Sequence, residues 1–304
     1  MKETIKFYYN VYIEKLYTTD MGSYFYMSGF KYYFLEFNRD IKEIDILVKM
    51  SNDLYNKGIL VDTFILTKDN KYFVYVEDKI YVMLRVNSIE EDKYNLKDIV
   101  YFNNLLIVKN ENLLNNNWAT LWMKKVDDFE EEISELNTDY PLIQNTFDYY
   151  MGLAENAISY VNDTFIDEKP SDFKVNLNHK RIKEAYQGYV NNPLTFTFDY
   201  SVRDIAEYVK YKFFNNTLEI DELEDLIFNY NFTRGELRLL YARLLYPSYY
   251  LDTIKDIFIL DKDESVLKKY INKQEEYEYF LKDIYHTIKK KIEIPPVEWL
   301  VNKN

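Results

Sequence analysis

Apolar positions in the first third of the chain fall in short runs with a period of two. Tyr24-Phe25-Tyr26-Met27 and Tyr32-Tyr33-Phe34-Leu35 flank Ser28-Gly29, which predicts a β-hairpin closed by a tight turn. The period then changes. Ile41, Ile44, Leu47, Val48 and Leu54 recur at helical spacing, so a helix is expected from Ile41 to Tyr55, with Gly58 beyond its end. Three β-rich runs follow, Thr63 to Thr67, Tyr72 to Val76 and Ile80 to Val86, with Asp69-Asn70 and Glu77-Asp78 as the turns between them.

After Asn87 the pattern is helical. Trp118 to Leu136 reads as a long amphipathic helix, and Pro141 opens another whose apolar face runs from Phe147 through Met151 and Ala154 to Val161. Asp204 to Phe214 is expected to be helical, with Asp204 available as its N-cap. Asp221 with Glu224 is expected to cap a further helix. Thr233 with Glu236 forms a capping box before Leu237, Leu240, Tyr241 and Leu244, and Pro247 stops that helix. Glu264 to Lys291 is expected as the last helix, its Lys289-Lys290-Lys291 run lying at the negative end of the helix dipole. Pro295-Pro296 then extends the chain, and Trp299, Leu300 and Val301 offer a means of docking it.

These elements divide into a small β-rich lobe with one helix, residues 1–87, and a larger helical lobe, residues 88–304, joined near Val86 to Ser88. That is the plan of protein-kinase-like two-lobed folds, class α+β, and many other α+β proteins share it. Charge narrows the range of partners. With 51 acidic against 38 basic side chains, the net charge of -13 opposes binding to nucleic acid or to anionic membranes. The chain has no cysteine, which excludes disulfides, thiolate catalysis and cysteine zinc sites. Only His179 and His286 can supply an imidazole. The first ten residues show no secretory signal, and no apolar run reaches the ~20 residues of a membrane helix, so synthesis in the cytoplasm is expected. The 32 tyrosines and 20 phenylalanines fit a codon bias toward AT, and tyrosine also suits surfaces that pack against partners.

Four segments carry a family resemblance. Residues 145–163, Asn-Thr-Phe-Asp-Tyr-Tyr-Met-Gly-Leu-Ala-Glu-Asn-Ala-Ile-Ser-Tyr-Val-Asn-Asp, resemble the long C-lobe helix of YutH-type spore coat proteins. Asn178-His179-Lys180-Arg181 resembles their catalytic-loop remnant. Arg203-Asp204-Ile205-Ala206-Glu207-Tyr208 and the stretch from Leu240 to Leu251 resemble two further segments of the same family. The wider relatives are CotS-type coat proteins and the aminoglycoside and choline phosphotransferases.

The resemblance implies a kinase-like fold and also a test of its chemistry. Phosphoryl transfer is mostly positioning plus neutralisation of phosphate charge, so a strand lysine, a catalytic aspartate, an asparagine and a metal-binding aspartate are required. By resemblance, Glu36 stands where the lysine belongs, Arg181 at the catalytic aspartate, and Tyr186 at the asparagine. Thr195 or Thr197 fills the metal-aspartate slot, leaving Asp199 as the only carboxylate nearby. One carboxylate does not hold a magnesium ion that must also carry phosphates. Among six glycines, Gly22 in Asp20-Met21-Gly22-Ser23 is the only candidate phosphate cradle, and it reads as an ordinary turn. His179, Arg203 and Asp204 are expected to survive as loop scaffold, and His286 as solvated surface.

The expected function is therefore a pseudokinase without catalytic residues, cofactor or metal, built into the spore coat through contacts with other coat proteins. Two rivals remain open. One is a small-molecule phosphotransferase using Asp199 and a displaced carboxylate such as Glu184. The other is a nucleotide- or sugar-binding regulator without turnover.

Overall fold

The computed structural model describes residues 1–19, 22–87, 94–105, 107–134, 140–182 and 190–303. The chain has a small antiparallel-sheet N-terminal lobe and a larger helical C-terminal part. It resolves into two compact units. One comprises Met1–Asn95, Leu106–Leu114 and His179–Phe198; the other comprises Leu96–Leu105, Asn115–Asn178 and Asp199–Asn304.

The first unit opens with helix α1 (Lys2–Tyr9), to which the sequence pattern assigned no element. Strands β1 (Tyr17–Thr19), β2 (Gly22–Met27) and β3 (Phe30–Glu36) follow, then helix α2 (Glu43–Asn56) and strands β4 (Thr63–Phe64), β5 (Val74–Val76) and β6 (Lys79–Arg85). The antiparallel sheet runs β1-β2-β3-β6-β4, with β5 also paired to β6. The two tight turns lie where the sequence predicts them. Ser28 and Gly29 take φ of 51° and 80°, and Glu77 and Asp78 take 50° and 64°. Positive φ at both central residues matches the twist of the flanking strands. Strands β4 and β5 are shorter than the runs that signal them. One face of the sheet packs under α1, where Ile5, Tyr9 and Ile13 meet Phe25, Tyr32, Phe34 and Met83. Alternation turns Tyr33, Leu35, Val82 and Leu84 to the opposite face, where all four are also buried.

The second unit is helical. It contains α3 (Leu96–Asn103), α4 (Trp118–Ser134), α5 (Pro141–Asp167), α6 (Arg203–Phe214), α7 (Ile220–Asn229), α8 (Arg234–Leu245) and α9 (Ser248–Leu260). Helices α10 (Lys268–Ile271), α11 (Gln274–Lys291) and α12 (Glu298–Val301) complete it. Strands β7 (Val175–His179) and β8 (Phe196–Tyr200) pair as a two-stranded sheet.

Several sequence expectations are corrected. The single helix from Glu264 to Lys291 is instead a 3₁₀ turn over Glu264–Leu267, then α10, then α11, and α12 follows it. The 3₁₀ turn has its own cap, the Asp263 side chain accepting from the Ser265 N–H, and Glu264 serves another helix. Its carboxylate accepts from the backbone N–H of Leu142 at 3.0 Å and of Ile143 at 3.2 Å, the first turn of α5, which has no side-chain cap of its own. Helix α7 starts at Ile220 with no side-chain cap, so Asp221 does not cap it, and Glu224 instead accepts from the Thr287 hydroxyl. Asp204 lies within the first turn of α6, after Val202, and is not its N-cap. The Thr233–Glu236 capping box forms as predicted.

Candidate functional site

In the first unit, Gly22 begins β2 with φ of +141°, a region that favours glycine. A Cβ there would lie 2.8 Å from Leu35 Cδ2 and 3.0 Å from the Phe34 carbonyl oxygen. Leu35 therefore lies directly against Gly22. Glu36, one residue on, points to the other face of the sheet. It pairs with Tyr81 across the strands and accepts a hydrogen bond from Lys79 Nζ at 2.9 Å.

His179 is fully buried. Its Nε2 lies 2.6 Å from the Val190 carbonyl oxygen, and its ring meets Phe196 edge-on. A carbonyl only accepts, so this nitrogen carries the proton. The Lys180 N–H donates to the Thr195 carbonyl at 2.7 Å, and Arg181 Nη1 donates to the Lys180 carbonyl. The two threonine hydroxyls donate to backbone: Thr195 Oγ1 to the Asn192 carbonyl at 2.8 Å, and Thr197 Oγ1 to the Leu113 carbonyl at 2.9 Å. Arg39, which sequence reasoning missed, pairs with Glu43 one helical turn on and donates through Nη1 to the carbonyls of Leu194 and Phe196, each at 2.8 Å. Burial lowers its pKa and Glu43 opposes that shift. Tyr186, Glu184 and the Asp20-Met21 pair lie outside the described residues.

In the second unit, Asp199 is fully buried. Its Oδ1 accepts from Trp118 Nε1 and from the backbone N–H of Tyr200, each at 2.7 Å, and its other oxygen pairs with Arg203. Burial pushes the carboxyl's pKa up, while Arg203, and after it Arg243, pull it down. Asn178 accepts from the Asp204 N–H and donates to the Asp199 carbonyl at 3.0 Å, which fixes the start of α6 to β7 and β8.

The two family-like segments on α6 and α8 meet in one buried network. Glu207 accepts from Arg243 Nε at 2.9 Å and pairs with Lys210 at 2.8 Å. Lys210 also donates to Ser248 Oγ at 2.7 Å and to the Arg243 carbonyl at 3.0 Å. The Arg243 guanidinium lies 5.1 Å and 5.3 Å from the ring centroids of Trp118 and Trp122. Buried charges persist only when paired in this way. Sequence reasoning missed Lys210 and Arg243, because charged residues on a helix read as its solvated face, and missed the role of Trp118 because its partner Asp199 lies 81 positions away. Among the described residues, no group of three or more His, Cys, Asp or Glu side chains is placed to hold a metal ion.

Comparison with solved structures assigns the fold. An aminoglycoside phosphotransferase from Alicyclobacillus acidocaldarius subsp. acidocaldarius DSM 446 matches with a TM-score of 0.65, covering 95% of this chain and 97% of that one at 12% identity. A spectinomycin phosphotransferase in complex with ADP and spectinomycin matches with a TM-score of 0.57, covering 98% and 95% at 14% identity. The class is thus the kinase-like fold of the aminoglycoside phosphotransferases, and at such identity the likeness concerns fold alone. Within that class, the model of the family described as "Spore coat putative kinase YutH" matches residues 2–284, and the chain belongs to this family. The endospore coat-associated protein YutH of Bacillus subtilis (strain 168) is 28% identical over 213 residues, 60% of this chain and 61% of that protein. The alignment therefore spans less than two thirds of that relative's length. No helix among the described residues is long and apolar enough to cross a membrane.

Proposed function

We propose that this chain is a non-catalytic YutH-family protein, a pseudokinase that serves the spore coat as a structural and assembly component. Its partners are other coat proteins, bound through protein contacts. Family membership and the coat-associated relative support the location. The observation that carries the loss of catalysis is the state of Asp199. This buried carboxylate is already held by Trp118, Arg203 and the Tyr200 N–H, so its oxygens serve the protein's own packing. Magnesium bound to triphosphate needs several accessible oxygen ligands, and a buried arginine pair does not supply them. Leu35, the side chain against Gly22, offers no charge to a phosphate. Thr195 and Thr197 donate to backbone carbonyls. These residues do not fit a metal–nucleotide group.

The test is thermal melting with and without MgATP. A ligand bound only by the folded state raises the melting temperature, by an amount set by its concentration over Kd. The expected result is no shift at millimolar MgATP. A shift without hydrolysis or transfer would favour a nucleotide-binding regulator. Phosphorylation of a small alcohol or aminoglycoside, lost in Asp199→Ala, would make the chain an enzyme.

A further inference from the structure

Helices α4 and α5 border a groove of about 410 Å³ within the second unit. Its floor is apolar, made by buried Phe147 and Met151 on α5. Its rim is acidic. Glu130 comes from α4, and Asp148 and Glu155 from α5, all three exposed. None of the three has an ion-pair or hydrogen-bond partner among the described residues.

Gly152 gives the groove a second, independent feature. It lies in the middle of a helix of 27 residues, where glycine costs about 1 kcal/mol relative to alanine. Among the described residues no neighbouring element requires it, because a Cβ at this position meets none of their atoms within 4 Å. Asp148, Gly152 and Glu155 follow one another at i, i+4 and i+7, so the missing side chain lies in the same stripe as two rim carboxylates. Here glycine keeps a channel open rather than allowing another helix to approach.

We infer that this groove docks a basic segment of a partner protein, with lysine or arginine side chains flanking an apolar residue that enters between the rim carboxylates. Charge decides among the occupants. A second copy of this chain, at net charge -13, meets the acidic rim with like charge. A cationic segment meets it with opposite charge, and its apolar anchor covers Phe147 and Met151. Apolar anchors with a charged surround are the usual composition of an interface. The inference rests on the proposed coat-assembly role and supplies that role with a surface and a partner chemistry.

The direct test is fluorescence anisotropy of the intact chain with a labelled peptide of repeated Lys-Lys-Leu-Lys units. The expected result is saturable binding, weakened at least tenfold when serine replaces leucine in the peptide. Gly152→Leu is expected to weaken binding at least tenfold while keeping or raising the melting temperature. Gly152→Ala serves as the folding control and should melt higher than the parent. Glu130→Lys with Asp148→Lys is expected to weaken binding to a similar extent. Equal binding of the serine peptide, or equal binding by the Gly152→Leu chain, would reduce the effect to bulk charge and overturn the inference. So would full competition by spermine at matched charge, since spermine has no apolar anchor.

Localisation of fluorescent fusions in sporulating cells separates the two levels. If the parent chain reaches the coat and Gly152→Leu does so equally, the groove inference fails and the coat role stands. If the parent chain is absent from the coat, the coat role fails and the peptide titration still decides the groove.

Discussion

Asp199 accepts hydrogen bonds from Trp118 and the Tyr200 N–H and pairs with Arg203, in a place closed to solvent. Removing one member of such a pair leaves a buried charge uncompensated, which typically costs about 3–5 kcal/mol. Asp199→Ala should therefore lower the unfolding free energy measured in a urea melt by that order, and adding Arg203→Met should recover much of the loss. Unchanged stability in Asp199→Ala would mean that the carboxylate is not part of the packing. The sequence singled out Asp199, because it is the only carboxylate near the expected metal position. It did not reveal the partner that defines the residue's state, since Trp118 lies 81 positions away. Glu36 teaches a related lesson. By resemblance it stands at the lysine position; in the sheet it pairs with Tyr81 and accepts from Lys79, while Leu35 is the side chain against Gly22.

At the scale of elements, the helices that the sequence marked best are those with local caps. The Thr233 hydroxyl accepts from the Glu236 N–H at 3.0 Å, and the Glu236 carboxylate accepts in return from the Thr233 N–H at 2.9 Å. Thr233→Ala should cost about 1 kcal/mol in a denaturant melt. Glu236→Ala should cost more, because the buried Ser201 hydroxyl also donates to it. Other helices take their caps from distant residues. Glu222 accepts from the Leu96 N–H at the start of α3, Glu264 caps α5, and Lys291 donates to the Ile227 and Tyr230 carbonyls at the end of α7. Remote caps leave no signal beside the helix they serve. That is why the pattern after Asn87 is helical without marking where α3 begins. Glu264→Gln should accordingly speed amide exchange in the first turn of α5 with little effect on α8, as measured by hydrogen–deuterium exchange.

At the scale of the whole molecule, buried tyrosine dominates the response to base. Burial raises the pKa of Tyr200 and of Tyr250 to about 12, and raises Tyr149, Tyr150, Tyr160, Tyr241, Tyr249 and Tyr277 further still. Above pH ~10 the unfolded chain loses these protons while the folded chain keeps them. Their contribution is complete below that pH and is lost as pH rises toward the folded values, by about 1.4 kcal/mol per pH unit for each tyrosine. Cooperative unfolding between about pH 10 and 12 is expected, with most tyrosinate absorbance at 295 nm appearing in the same step. Gradual ionisation without unfolding would contradict this. The sequence by itself determined the hairpins, most helices and the acidic character, because these follow from local periodicity, turn chemistry and composition, while the fold class and the family came from the resemblance of four segments to YutH-type proteins. Only tertiary structure decided which charges are buried in pairs, which helix ends are capped from afar and which glycine opens a groove. Those properties depend on side chains from distant parts of the chain meeting in a low-dielectric interior, which no local pattern records.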